Sequence, residues 1–93
     1  MPDGAEGAHR LDVWLWHARV LSTRAACARL VAERGIRING RPTIKPGARL
    51  HQGDVLTFAI GQRVRVLRVV AFNRRRGNAA EAAILFEDLS PSA

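Results

Sequence analysis

The stretch from residue 22 to residue 40 constrains the fold of this chain more than any other. Ser22 or Thr23 can cap a helix, because a side-chain hydroxyl accepts a hydrogen bond from a free N–H of the first turn. Gly35 stands where a helix ends most easily on a left-handed residue. Asn39-Gly40 is typical of a two-residue hairpin turn, which needs positive φ at both positions. The sequence therefore predicts a helix that leads directly into a β-hairpin.

Apolar spacing predicts that two helices come first in the chain. The helix after Ser22 has one buried stripe at spacings of three and four, formed by Ala26, Cys27, Leu30 and Val31. An earlier helix is predicted over about residues 11–21, with Asp12 favourably placed in its first turn. It is apolar on more than one face, because Trp14 and Trp16 do not fit the same core. We expect Trp14 in the core; Trp16 fits either packing or stacking on a base.

Short strands should follow the helices. Pro42 lacks the N–H that a central strand donates, so residues 41–44 are predicted to form an edge strand. Gly53 and Asp54 indicate a turn that opens a strand over residues 55–60.

Two further strands complete the predicted sheet. Residues 63–72 begin with arginines alternating with Val64 and Val66, the signature of a half-buried strand. The alternation breaks at Leu67, where we expect a bulge. The last strand is predicted over residues 82–87. Two helices and then four or five short strands indicate an α+β fold.

The length and the single cysteine limit the class of protein. A chain of 93 residues makes one small domain, predicted over residues 10–89, with a disordered lead at 1–9 and a tail at 90–93. The lead lacks the pattern of a signal peptide, and no apolar run is long enough to cross a bilayer. We therefore expect a cytoplasmic protein. Cys27 allows no internal disulfide and no metal-ligand spacing, and we expect a buried thiol, no metal and no cofactor.

Charge points to a polyanionic partner. Lys and Arg total 15 against 8 Asp and Glu, a formal net charge of +7, and all the cations except Lys45 are arginine. Arginine presents a planar fork of donors that matches phosphate oxygens. A GC-rich genome would explain arginine in place of lysine but not the excess of cations. Nucleic acid is favoured over membrane, because the sequence has no long basic amphipathic helix.

Four segments carry a family resemblance. They are Arg10-Leu11-Asp12-x-x-Leu15, Ser22-Thr23-Arg24-x-x-Cys27-x-x-Leu30-Val31, Gly35-x-Arg37-Ile38-Asn39-Gly40 and Gly53-Asp54-x-Leu56. In order and spacing they resemble the S4 RNA-binding domain over about residues 10–60, with Cys27 where the motif usually has alanine. The resemblance implies the alpha-L fold, in which two N-terminal helices pack with a hairpin and a small, mostly antiparallel sheet.

Two segments are similar to a narrower family. Trp14-Leu15-Trp16-x-Ala18-Arg19 and Glu81-Ala82-Ala83-x-Leu85 after an arginine-rich loop resemble the ribosome-associated heat shock protein 15 family. Members bind structured RNA on free large ribosomal subunits that still hold a nascent chain on transfer RNA, and help to recycle them. Many continue into a basic extension past the position of Ala93. The resemblance implies a non-enzymatic protein whose partners are ribosomal RNA and the large subunit, with transfer RNA on that subunit as a further candidate partner.

The candidate RNA-binding residues surround the helix pair, the hairpin and the basic loop. They are Arg10, Arg19, Ser22, Thr23, Arg24, Arg37, Asn39, Gly40, Arg41, Lys45, Arg74, Arg75 and Arg76. Arg24 opens a helix whose free N–H groups favour a phosphate. Arg37, Arg41 and Lys45 straddle the hairpin, where we expect them to converge on one RNA strand.

Each candidate also has a plainer interpretation. Arg10 and Arg19 fit solvated surface charge equally well. Asn39 and Gly40 serve turn geometry first and RNA contact second. The triplet of arginines at 74–76 has no acidic neighbour in the sequence, so phosphate binding and a solvated loop are equally compatible with it.

The sequence leaves three candidate functions. The first is a monomeric RNA-binding protein that contacts phosphates independently of base sequence and is selective for RNA shape. The second is a detached S4 domain of an RNA-modifying enzyme, although the sequence shows no carboxylate pair, metal cluster or Gly-rich cofactor loop. The third is a protein-interaction module that uses the apolar first helix. Salt separates the first from the third, because phosphate binding weakens steeply as salt rises.

Overall fold

The computed structural model describes residues 7–91, in which two helices pack on one face of a five-stranded sheet. The elements are α1 Leu11–His17, α2 Arg24–Arg34, β1 Ile36–Ile38, β2 Arg41–Thr43, β3 Val55–Ile60, β4 Arg63–Val69, α3 Ala79–Ala83 and β5 Phe86–Asp88. The strand order is β2-β1-β3-β4-β5 and every neighbouring pair is antiparallel. The α+β prediction is confirmed. Among residues 7–91, no helix combines the length and apolar character that a membrane span requires.

Helix α1 ends at His17, four residues before the predicted end at residue 21. Arg19 adopts a φ of 62°, which stops the helix. The Arg19 N–H donates to Trp16 O at 3.0 Å and the Val20 N–H donates to Leu15 O at 3.0 Å. These two bonds form the C-terminal cap that usually has glycine in the left-handed position. The prediction failed here because an arginine occupies that position.

The start of α2 and the hairpin turn were predicted correctly. The Thr23 hydroxyl caps α2 by accepting a hydrogen bond from Ala26 N at 3.0 Å. Gly35 leaves the helix with a φ of 80°, and Asn39 and Gly40 have φ values of 53° and 84°. The helix therefore passes directly into the β1–β2 hairpin, with β2 at the edge of the sheet.

Strand β4 is regular, so the predicted bulge at Leu67 is wrong. Its register with β3 runs unbroken from Val55 opposite Arg68 to Ile60 opposite Arg63. Side chains alternate between the two faces of a regular strand, so Val64 and Leu67 cannot both face the helices. Leu67 is fully buried and Val64 is 49% exposed.

The first residues of the strand predicted over 82–87 belong instead to helix α3, Ala79–Ala83, and strand β5 begins only at Phe86. Asn78 Oδ1 accepts from Glu81 N at 2.9 Å, and Glu81 Oε1 accepts from Asn78 N at 3.0 Å. This reciprocal pair is a capping box, and the alanines after it favour helix. The Asn-x-x-Glu spacing was the signal that the strand prediction overlooked.

The core lies between the helices and the inner face of the sheet. Trp14 is fully buried as predicted, and its Nε1 donates to Ala71 O at 2.9 Å. The packed part of the chain begins before α1. Ala8 is buried, and the ring of His9 stacks on that of Phe72 with the ring centres 3.7 Å apart. Residues 7–9 therefore pack against the domain, although they belong to the predicted lead. The rest of that lead, residues 1–6, and the last two residues of the tail lie outside the described residues.

The same packing removes the basis of the protein-interaction alternative. That interpretation requires apolar side chains of the first helix to be accessible to a partner. Leu11, Val13, Trp14 and Leu15 are all buried in the fold, and only Trp16 remains partly exposed on α1.

Candidate nucleic-acid interface

Asp12 joins two candidate arginines at the N-terminal ends of α1 and α2. Arg10 Nε lies 3.1 Å from Asp12 Oδ1 and Arg10 Nη2 lies 3.2 Å from Oδ2, so this pair is bidentate. Arg24 Nε lies 3.8 Å from the same Oδ2. The carboxylate is buried, whereas the side chains of Arg10 and Arg24 are 44% and 52% exposed. The hydrogen bond and the charge of Asp12 raise the pKa of Arg10. We call Arg10, Asp12 and Arg24 the Asp12 cluster.

The loop of Lys45 lies against this cluster. Leu11 N donates to Ala48 O at 2.8 Å and Asp12 N donates to Pro46 O at 3.0 Å, so free N–H groups of α1 hold the loop. Lys45 itself is exposed, and within residues 7–91 its side chain forms no ion pair. The fold thus brings a third cation close to the Asp12 cluster.

A shallow pocket opens beside Arg10. It is lined by Gly7, Arg10, Gly47 and Arg49. A Cβ on Gly47 would lie 3.2 Å from Arg10 Nη1, so the guanidinium lies directly against the loop backbone. Arg49 faces Arg10 through an isolated β-bridge between the two backbones. Arg49 was missed as a candidate because nothing local in the sequence links it to residue 10.

The hairpin separates Arg37 from Arg41. Arg37 lies opposite Pro42, and Ile38 lies opposite Arg41. Directly opposite residues share a face and consecutive residues alternate, so the two arginines point to opposite faces of the hairpin. The expected convergence of Arg37, Arg41 and Lys45 is therefore wrong for Arg37.

Arg37 instead lies on the outer face of the sheet, the face away from the helices. It pairs with Thr57 of β3, and its Nη1 donates to Gly40 O at 3.0 Å. Arg41 shares a face with Ile38, which packs against the core. Its exposed guanidinium has no hydrogen bond or ion pair among the described residues. Of the two, only Arg41 lies on the helix side.

Asn39 holds the hairpin turn against the next strand. Its Nδ2 donates to Asp54 Oδ1 at 2.9 Å, and its Oδ1 accepts from Val55 N at 2.9 Å. The backbone N–H of Asn39 donates to Val55 O at 2.8 Å. Both ends of the amide are therefore occupied. The geometry supports the structural interpretation of Asn39 over direct RNA contact.

Arg19 and Arg76 brace the basic loop against the end of α1. Arg19 Nε and Nη2 donate to Gly77 O at 3.0 and 2.8 Å. Arg76 Nε donates to Trp16 O at 3.1 Å, and its guanidinium lies 5.7 Å from the centre of the Trp16 ring. The sequence gives no signal for these long-range contacts. Trp16 is thus partly covered by a cation.

The remaining two arginines of the triplet differ from each other. Arg75 Nη2 lies 3.5 Å from Glu81 Oε2, so the expectation that the triplet has no acidic neighbour is wrong. Glu81 reaches it because α3 brings the carboxylate back towards the loop. Arg74 is exposed, and within the described residues it has no hydrogen bond or ion pair.

His17 lies between the Asp12 cluster and the basic loop. Burial lowers its pKa, and the charges of Arg76 and Arg24 lower it further, against the opposing effect of a hydrogen bond with the Asn73 backbone. Its Nδ1 is buried without a hydrogen-bond partner in the described structure. Arg76 donates to Trp16 O near the C-terminal end of α1, and the Asp12 cluster lies at the N-terminal end, so the two groups of cations lie at opposite ends of one seven-residue helix.

Of the remaining candidates, Ser22 is exposed beside α2, and the Thr23 hydroxyl is occupied by the helix cap. Cys27 is fully buried as expected, and burial raises the pKa of its thiol. Asp12 was not chosen as a site residue, although it lies within the matched Arg-Leu-Asp segment. Its role is visible only once α1 and α2 are packed together.

The model of the S4 domain family matches residues 9–56. The chain belongs to the S4 domain family. The match includes the Asp12 cluster, the hairpin and the loop of Lys45, and it ends before the arginine triplet.

The chain is similar to heat shock protein 15 over most of its length. The chain is 35% identical to heat shock protein 15 of Escherichia coli strain K12 over 83 residues, 89% of this chain and 62% of that protein. A heat shock protein 15 homolog of Aeromonas salmonicida is 33% identical over 94 residues, 99% of this chain and 70% of that protein. The trimeric structure of Vibrio cholerae heat shock protein 15 superposes with a TM-score of 0.78 at 29% identity, over 85% of this chain and 79% of that one. The chain thus spans about three fifths of the length of its Escherichia coli relative.

Proposed function

We propose that this protein binds structured RNA through phosphate contacts on the helix side of the molecule. The observation that carries the proposal is the Asp12 cluster, which presents two half-exposed guanidinium groups beside Lys45 within the matched S4 region. The net charge of +7 favours a polyanion. Arg41 adds a cation on the helix side of the hairpin, and neither Arg41 nor Arg74 has an ion pair among residues 7–91 to neutralise its charge.

The chemistry of this surface favours RNA shape over base sequence. The groups that the surface presents are guanidinium donors, which match phosphate oxygens and carry no base information. Helical RNA has a deep, narrow groove that side chains do not read, so recognition falls on the backbone and on its geometry. The spacing of the cations therefore selects among RNA shapes.

We propose further that the RNA is ribosomal RNA on the free large subunit carrying a nascent chain on transfer RNA, and that the protein acts in the cytoplasm in stress-related recycling. Support comes from the similarity to heat shock protein 15, which extends over most of this chain. We propose that no catalytic step is involved. The second candidate, a detached S4 domain of an RNA-modifying enzyme, shares the same surface and predicts the same loss on mutating Arg24.

Co-sedimentation tests the proposal directly. The protein is pelleted with assembled ribosomes, free small subunits, free large subunits and large subunits loaded with peptidyl-transfer RNA, each at two salt concentrations. We expect salt-sensitive pelleting that is strongest with the loaded large subunit. Equal pelleting with every particle would reduce the function to general RNA binding, and absence of pelleting at low salt would refute RNA binding.

A pair of variants assigns the binding to the helix side. Arg24→Gln should weaken pelleting, because it removes one exposed cation of the Asp12 cluster. Arg68→Gln is the matched control: it removes the same charge from the outer face, where Arg68 pairs with Glu87 at 2.6 Å. Equal losses in both variants would mean that only net charge matters.

The oligomeric state needs its own measurement. We propose a monomer, and the trimeric state described for the Vibrio cholerae protein is the specific alternative. Light scattering of the purified protein, with and without RNA, distinguishes the two masses. A trimer in the absence of RNA would replace the monomer in the proposal.

A further inference from the structure

We propose that Asp12 is a positioning residue that organises Arg10 and Arg24 into one phosphate-binding unit. The inference rests on the proposed RNA binding and assigns a positive role to an acidic side chain within a basic surface. By charge alone, a carboxylate at this place should repel phosphate and weaken binding. By geometry, it should strengthen binding. The two interpretations therefore predict opposite changes in RNA affinity when Asp12 loses its charge.

The carboxylate of Asp12 is built into the fold. Its side chain is 4% exposed, and its Oδ1 accepts the backbone N–H of Val13 at 2.8 Å. The backbone N–H of Asp12 donates to Pro46 O at 3.0 Å. The backbone of Asp12 is thus held by α1 and the loop of Lys45, and one hydrogen bond of its carboxylate, from Val13 N, involves no arginine.

Arg10 is held on two sides. Asp12 binds its Nε and Nη2, and the backbone at Gly47 lies against its Nη1. A bidentate carboxylate fixes the plane of a guanidinium as a single contact does not. The Arg10 side chain is 44% exposed and lines the pocket shared with Arg49, so donors that Asp12 does not bind are accessible there. Arg10 therefore presents donors that are already oriented.

Arg24 completes the unit from the second helix. Its Nε is 3.8 Å from Asp12 Oδ2, an ion-pair distance that is too long for a hydrogen bond. The guanidinium is drawn towards Arg10 while its donors remain available. Two guanidinium groups on one carboxylate lie close enough to bind neighbouring oxygens of the same phosphate backbone. Without Asp12, two like charges would separate, and each long side chain would lose more freedom on binding.

The experiment compares two substitutions that change charge equally. Asp12→Asn keeps the shape of the side chain and removes one negative charge; Glu87→Gln does the same to the carboxylate that pairs with Arg68 on the outer face. Both variants carry one more net positive charge. Affinity for radiolabelled large-subunit ribosomal RNA is measured by filter binding at several salt concentrations, well below the melting temperature of each variant.

The expected results have opposite signs. Glu87→Gln should bind as tightly as the parent protein or slightly more tightly. Asp12→Asn should bind about tenfold more weakly, because two arginines lose their preorganisation. Binding by Asp12→Asn that equals or exceeds that of Glu87→Gln would overturn the inference.

A second variant keeps the inference testable if Asp12→Asn folds poorly. Arg10→Lys retains the net charge of +7 but replaces the planar fork with a single ammonium. We expect its RNA affinity to fall nearly as far as that of Arg10→Gln. Full binding by Arg10→Lys would show that charge alone matters, and would overturn the inference.

The outcome also separates this inference from the proposed function. If the parent protein does not bind RNA, the proposed function fails. If the parent binds, and Arg10→Gln with Arg24→Gln weakens it, but Asp12→Asn does not, then only the positioning role fails. In the Arg10→Gln, Arg24→Gln background, Asp12→Asn should cause no further loss, because Asp12 then has no arginine to orient.

Discussion

Asn39 and Asp54 join two distant turns through one hydrogen bond, from Asn39 Nδ2 to Asp54 Oδ1 at 2.9 Å. Asp54 Oδ2 also accepts from His51 N at 2.8 Å, so the acceptor is itself held in place. The bond fixes the β1–β2 hairpin to the start of β3. It gives a physical reason for the joint presence of Asn39-Gly40 and Gly53-Asp54 in the sequence.

Substitutions of Asn39 distinguish the contribution of the turn conformation to stability from the contribution of the side-chain hydrogen bonds. Asn39→Gly keeps easy access to the positive φ of 53° but loses both side-chain hydrogen bonds. We expect the free energy of unfolding to fall by about 1–2 kcal/mol, measured by urea denaturation. Asn39→Ala also strains the backbone and should lose about 1 kcal/mol more. Stability of Asn39→Gly equal to that of the parent would show that the interturn bond contributes nothing.

Local signals predicted the parts of the fold that local geometry controls. Thr23, Gly35 and Asn39-Gly40 each determine a cap or a turn within a few residues, and all three appear where the sequence placed them. The end of α1 was missed because Arg19 adopts a conformation that its residue type disfavours, with its side chain bonded to Gly77 on the far loop. Such a compensation is not visible within a local window.

The same reasoning shows which features of the candidate site were visible in the sequence. The sequence identified the cations of the Asp12 cluster, because they lie in recognisable motifs. It did not show which cations share a face, since that depends on strand register for Arg37 and Arg41. It also counted the arginines of the loop as equal, whereas Arg76 is bonded to Trp16 O and stacked on its ring.

The contact between Arg76 and Trp16 should be visible by fluorescence. Arg76→Ala removes a hydrogen bond to Trp16 O and the cation above the indole, so the free energy of unfolding should fall by about 1–2 kcal/mol. Trp16 should become more exposed and its emission should shift to longer wavelength, while Trp14 stays buried. The shift should disappear in a Trp16→Phe background. An unchanged spectrum would show that the guanidinium does not cover the ring in solution.

The stability of the protein should fall as the pH is lowered through the range in which His17 titrates. Burial lowers the pKa of His17 in the folded state below its usual value of 6.5, so the unfolded chain binds the proton more readily. The stabilisation is fully present above pH 6.5 and is lost as pH falls towards the folded-state pKa. The slope for one proton is at most about 1.4 kcal/mol per pH unit.

Melting temperatures between pH 5 and pH 7.5 measure this effect. Asp88, whose pKa is lowered from 3.8 mainly by the Ser90 side chain, titrates below this range and does not contribute. His17→Gln should flatten the pH dependence. A slope that persists in His17→Gln would assign it to another group.

The faces of the hairpin predict which of its arginines contacts RNA. Arg41 shares the helix side with Ile38, whereas Arg37 lies on the outer face and donates to Gly40 O. Arg41→Gln should weaken RNA binding several-fold and reduce the steepness of its log–log salt dependence by about 0.7–0.9, the value for one phosphate contact. Arg37→Gln removes the same charge and should leave the salt slope unchanged. Filter binding at four or more salt concentrations measures both slopes. A larger loss in Arg37→Gln would place the RNA on the outer face, and the helix side would then no longer account for the binding.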